Sequence, residues 1–121
     1  MSVAVKGTSI YMTRGDTLKV DVAINKTNGK RTIPYVPEDG DEIRFALKHR
    51  SMNGYRSEYT DRKPLIYKVI PVDTMELVLN PEDTKDLGFG DYVYDMQITF
   101  ADGSIDTFIT EALFRLTPEV D

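Results

Sequence analysis

The stretch Asp91-Tyr-Val-Tyr-Asp-Met-Gln-Ile-Thr-Phe-Ala-Asp-Gly-Ser-Ile-Asp-Thr-Phe-Ile-Thr110 decides the fold. Tyr92, Tyr94, Met96, Ile98 and Phe100 occupy every second position. Successive strand side chains point to opposite faces, so these five share one face. Asp102-Gly103 supplies the positive φ angles that a two-residue hairpin turn requires. With that turn Phe100 faces Ile105, Ile98 faces Thr107 and Met96 faces Ile109, and the pattern agrees on both strands. An antiparallel β architecture follows. Phe108 is out of phase and shares a side with Gln97 and Asp106. It is expected either to lie under the small helix or to mark an interaction patch.

The same alternation extends through the rest of the chain. A first strand is expected over Thr8–Met12, and Arg14-Gly15-Asp16 turns into a second over Thr17–Asn25. There Leu18, Val20, Val22 and Ile24 point inward, while Lys19 and Asp21 point outward. Asn25–Lys30 reads as a turn-rich loop. Pro34 and Pro37 bracket an extended segment suited to an edge. Asp41–His49 is a third strand with Ile43, Phe45 and Leu47 inside. Leu65–Ile70 and Met75–Leu79 follow, and Ala112–Thr117 closes the chain with Phe114 and Leu116 inward.

Asn80-Pro81-Glu82-Asp83 is a helix start: a capping residue, a proline at the first helical position and acids at the positive end of the dipole. Gly88 falls where a C-terminal cap belongs, so one short helix is expected near 81–87. About seven strands with turn signals between them predict an all-β fold, a single antiparallel β-sandwich of immunoglobulin-like or jelly-roll-like type. A small closed barrel is the competing architecture. Residues 1–121 are expected to form one domain, with no internal repeat and no linker.

The chain has 121 residues, no cysteine, and a net charge of −5. Disulfides and thiolate metal sites are excluded. No apolar run approaches the roughly 20 residues of a membrane helix, and the first residues lack a signal-peptide core. A soluble protein made in the cytoplasm, with neither membrane nor nucleic acid as partner, is the expectation. Charge is uneven along the chain. Residues 1–69 hold 13 Lys and Arg against 8 Asp and Glu, whereas residues 70–121 hold 2 against 12. If the fold kept these halves apart, copies would stack head to tail, so a homo-oligomer is among the expectations.

No catalytic, metal or cofactor motif is expected. His49 is the sole histidine. Ser51 is close in sequence, but no nucleophile-elbow pattern accompanies it. Glu38-Asp39-Gly40-Asp41-Glu42 is the densest acidic cluster, and its spacing departs from that of an EF-hand calcium loop. The Gly-Asp of Arg14-Gly15-Asp16 is accounted for by turn chemistry, and Asn25-Lys26-Thr27 spells a glycosylation acceptor that has no bearing without secretion. Residues 51–63 mix Tyr55 and Tyr59 with Arg56, Arg62, Ser, Asn and Gly, the composition of binding loops on immunoglobulin-like scaffolds. Tyr55, Arg56 and Tyr59 are therefore the candidate partner-binding residues, with Phe108 added from the hairpin.

Pro81–Thr84, Gly90–Asp95, Asp102-Gly103 and Phe114–Val120 recur in one arrangement: a Pro-acid-Thr helix, Gly-x-Tyr-x-Tyr-Asp, an Asp-Gly turn and Phe-x-Leu-Thr-Pro-Glu-Val. Arg14-Gly-Asp-Thr17 suits the start of the same arrangement. It resembles small β-sandwich structural proteins of phages and prophages and is similar to the N-terminal domain of siphophage upper-baseplate proteins. Residues 50–63 have no counterpart there. The resemblance implies a non-enzymatic virion component or adaptor, associated with tail or baseplate, that contacts other phage structural proteins and has no catalytic residues. The alternative is a carbohydrate-binding β-sandwich module for host recognition. The absence of Trp speaks against that alternative.

Overall fold

The computed structural model describes residues 4–6, 9–28, 31–49 and 64–118. Among these residues ten strands and one helical turn follow in order: β1 (Ala4–Lys6), β2 (Ser9–Thr13), β3 (Leu18–Asp21), β4 (Ile24–Asn28), β5 (Arg31–Tyr35), β6 (Glu42–His49), β7 (Ile66–Ile70), β8 (Glu76–Leu79), α1 (Pro81–Thr84), β9 (Gly90–Thr99) and β10 (Ile105–Thr117). The fold is all-β. A six-stranded sheet runs β1-β2-β10-β9-β6-β7, and two ribbons, β3-β8 and β4-β5, complete it. One core draws on all three. Ile10, Ile43, Phe45, Leu47, Tyr94, Met96, Ile98 and Phe114 come from the sheet, and Leu18, Ile24, Leu77 and Leu79 from the ribbons.

The purely antiparallel expectation is corrected at one junction. β2 pairs with β10 in parallel, from Ile10 against Phe114 to Thr13 against Thr117. Neighbouring hairpins produce antiparallel pairs, but β2 and β10 come from opposite ends of the chain and no tight turn dictates their direction. The predicted strand Thr17–Asn25 is also divided. Leu18–Asp21 pairs with β8, whereas Ile24–Asn28 pairs with β5. The inward alternation survives the break, with Leu18, Val22 and Ile24 buried and Lys19 and Asp21 exposed. Within the supposed loop 25–30, the β4–β5 ladder continues to Asn28 opposite Arg31. Pro34 occupies a strand with a single described partner, as a residue lacking N–H requires.

The β9–β10 hairpin closes differently from the two-residue expectation. The Phe100 N–H donates to the Ser104 carbonyl at 2.8 Å, and the Gly103 N–H to the Phe100 carbonyl at 2.8 Å. The loop is thus Ala101-Asp102-Gly103, a turn followed by a glycine with φ 93°. Register moves by one, pairing Thr99 with Ile105 and Ile98 with Asp106. A bulge at Phe108 then restores Met96 opposite Ile109, and a second before Ala112 sets Tyr94 against Ala112. At the second bulge Glu111 takes φ 47°, and its N–H is held by the Asp95 carboxylate at 2.6 Å.

The predicted helix is a single turn followed by the turn residues Lys85–Leu87. The Asp83 carboxylate accepts the Asn80 N–H at 2.7 Å. Gly88 is not a left-handed cap. It is absent from the positive-φ glycines, and its carbonyl instead accepts the Tyr92 hydroxyl at 2.6 Å.

Two glycines give a paired prediction. Gly40 has φ 95°, and a Cβ there would lie 2.9 Å from the Ala101 Cβ; Gly103 has φ 93° with open space around it. Gly103→Ala is expected to cost roughly 1–2 kcal/mol, the left-handed penalty alone. Gly40→Ala should cost measurably more, because two loops must also separate. Chemical denaturation of both variants tests the ordering.

Candidate functional site

A hollow of about 410 Å³ opens between the six-stranded sheet and the β3–β4 segment. Its position follows from two local irregularities that face each other. On one side β3 ends at Asp21 and the chain leaves its ladder after the Val22 N–H meets the Met75 carbonyl at 2.8 Å. On the other, the Phe108 bulge re-aims β10, as bulges commonly do beside binding sites. Ile10, Tyr94 and Met96 form a buried floor, Phe108 and Ile109 one wall, and Val20 to Asn25 the other. Among the described lining residues Asp21 contributes the one carboxylate, and none carries a basic group. Such a groove is built to hold an apolar group with a polar or cationic neighbour.

Phe108 is the sequence candidate that reaches this groove. It is half-buried against the core rather than covered by α1. The phase error that set it apart in the sequence is the bulge itself. Tyr55, Arg56 and Tyr59 lie outside the described residues. Ala23, Asn25 and Asp21 have no motif to announce them. The one available signal was the mismatch between Phe108 and the hairpin alternation, which requires an extra residue in β10.

The remaining sequence candidates have structural roles. His49 is exposed at the end of β6 and lies against Tyr92, ring centres 5.7 Å apart. In the acidic cluster, Asp41 accepts the Tyr35 hydroxyl at 2.6 Å, the Glu38 N–H at 2.9 Å and the Ala101 N–H at 3.2 Å. It thereby fastens the β5–β6 connection to the hairpin tip. That hydrogen bond, with burial and the charges of Asp41 and Glu38, holds the Tyr35 phenol up to about 12. Arg14 of the Arg-Gly-Asp tripeptide stacks 4.2 Å over Phe89, and the Gly15 N–H donates to Thr84 Oγ1 at 3.2 Å. These contacts make the tripeptide the seat of α1. Among the described residues no three His, Asp or Glu side chains are grouped so as to hold a metal ion.

Among the described residues the basic and acidic halves of the chain interleave in the sheet. β9 and β10, from the acidic half, lie in the middle of the sheet between β2 and β6 from the basic half. Lys48 meets Asp95 at 3.7 Å and Lys68 meets Asp83 at 3.0 Å, each pair joining the two halves.

A second surface lies on the far face of the sheet. Tyr67 and Val69 of β7, the end strand of the sheet among the described residues, are 52% and 54% exposed. They stand opposite Ala46 and Arg44 on β6. A shallow hollow of about 180 Å³ there is bordered by Arg44, Lys48, Tyr67, Asp95 and Gln97. No helix among the described residues is long and apolar enough to cross a membrane. No protein-family model, curated protein or solved structure matches the chain.

Proposed function

We propose that this chain is a non-catalytic structural or adaptor protein of a phage or prophage particle, associated with tail or baseplate and acting through protein–protein contacts. In this reading the fold is a β-sandwich, with the six-stranded sheet as one layer and the two ribbons as the other. The observation that carries the contact role is the terminal strand β7, which leaves Tyr67 and Val69 exposed on a sheet anchored by Ile66 and Ile70 in the core. A rigid sheet with an apolar, aromatic edge is a surface that other chains recognise. The particle assignment rests on the resemblance carried by Pro81–Thr84, Gly90–Asp95, Asp102-Gly103 and Phe114–Val120. The first of these residue groups forms α1, the second opens β9, the third lies in the hairpin loop, and Phe114–Thr117 of the last ends β10.

The test is fractionation. Particles induced from the strain that carries the gene are banded on a density gradient, and their proteins are quantified by mass spectrometry. The chain is expected to band with the particle at a fixed ratio to its other structural proteins. Recovery only from the particle-free fraction would overturn the assignment.

A further inference from the structure

The groove beside Phe108 is bounded by a strand edge as well as by side chains. β10 pairs with β9 from Ile105 onward, but with β2 only from Phe114. On the β2 side, residues 107–110 therefore have no partner strand among the described residues. Phe108 and Ile109 of that same stretch form a wall of the groove. An unpaired edge alongside an apolar hollow has the two components of β-strand addition. Main-chain hydrogen bonds supply affinity, and a pocket for alternate side chains supplies selectivity.

From this arrangement we infer that the groove receives an extended segment of a partner protein, added as a strand along residues 107–110 of β10. One large apolar side chain of that segment lodges over Tyr94 and Met96. A Lys or Arg on the same face, two residues away, meets Asp21. Charge selects the basic segment. Asp21 is in the lining, and Asp106, two residues before Phe108 on the same strand, is exposed. A small apolar molecule would fill the hollow but leave the strand edge bare. The inference deepens the contact role proposed above and rests on it; the particle assignment is separate.

Ala23 permits a clean test, because it is exposed at the rim and its enlargement closes the mouth without entering the core. The full chain is immobilised and panned with a displayed library of random octapeptides. The selected peptides are then measured in solution by fluorescence anisotropy against wild type, Ala23→Trp and Asp21→Lys. Circular dichroism and melting confirm that each variant is folded.

The expected peptides carry a bulky apolar residue with Lys or Arg two positions away. Ala23→Trp should weaken them at least about tenfold and Asp21→Lys about threefold or more, corresponding to roughly 1.4 and 0.6 kcal/mol. Absence of enrichment over bare resin, or peptides that bind Ala23→Trp as tightly as wild type, would overturn the inference. So would uptake of decanoate, blocked by Ala23→Trp, with no peptide selected, since that outcome makes the groove a small-molecule pocket. The two proposals fail separately. Particle banding without groove-dependent peptides leaves the adaptor role to another face, whereas groove-dependent peptides without banding leave the strand-addition site and remove the particle.

Discussion

Phe45→Ala is expected to bring the protein close to unfolding. Phe45 is 0% exposed at the centre of β6, its ring 5.3 Å from that of Tyr94 and 6.4 Å from that of Phe114. The three rings come from β6, β9 and β10, so the substitution empties the point at which the middle strands of the sheet meet the ribbons. Loss of a buried Phe costs about 3–5 kcal/mol, transfer and cavity combined. Domains of this size are stable by only about 5–15 kcal/mol. Phe89→Ala supplies the contrast, since Phe89 is half exposed and its ring lies beneath the Arg14 guanidinium. It should cost about 1 kcal/mol or less. Urea unfolding decides between them: the midpoint should fall steeply for Phe45→Ala and little for Phe89→Ala, with similar slopes. Equal midpoints would mean that the ring cluster does not organise the core.

What the sequence discloses depends on how far apart in the chain the deciding contacts lie. The alternation in Glu42–His49 and Gly90–Thr99 is legible because each strand buries one face, and a one-residue error would turn every apolar side chain outward. The hairpin register is not legible from Asp102-Gly103, since that pair suits both two- and three-residue loops. The choice is supported from across the fold: Asp41 accepts the Ala101 N–H, and Tyr35 meets the Phe100 ring edge-on at 5.8 Å. The division of Thr17–Asn25 is similarly hidden. Local pattern is the same on both sides of Val22, and only the Met75 carbonyl opposite marks where the first ladder ends. The parallel β2–β10 junction joins the two ends of the chain and leaves no local trace. The groove inherits these limits, because one wall is the division and the other is the bulge. Phe108 alone betrayed it, through its phase. The choice of Tyr55, Arg56 and Tyr59 rested on composition, which identifies a contact-prone loop without giving it a position.

Alkali is expected to unfold the protein between about pH 10 and pH 12, through its tyrosines. An ordinary phenol ionises near pH 10. Burial holds Tyr94 up to about 12, and burial raises Tyr92 as well. Tyr35 is held up to about 12 by its hydrogen bond to Asp41, with burial and the two nearby carboxylates adding to it. A phenol with a raised folded-state pKa keeps its proton more tightly in the folded protein than in the unfolded chain. Its stabilising contribution is whole below about pH 10, shrinks as the unfolded chain begins to ionise, and is gone above about pH 12. For Tyr94, which is 2% exposed, the loss is on the order of 3 kcal/mol. Tyr35 lies nearer the surface and marks the loop rather than the core. Phenolate absorbance and far-ultraviolet circular dichroism, followed together, should show an early group of tyrosines ionising with structure intact. Tyr94 should ionise only as the strands are lost. In Asp41→Ala the Tyr35 step should move down toward pH 10 while the Tyr94 step stays with unfolding. If all seven tyrosines titrated together near pH 10 with the sheet intact, the buried position of Tyr94 would be wrong, and with it the floor of the groove.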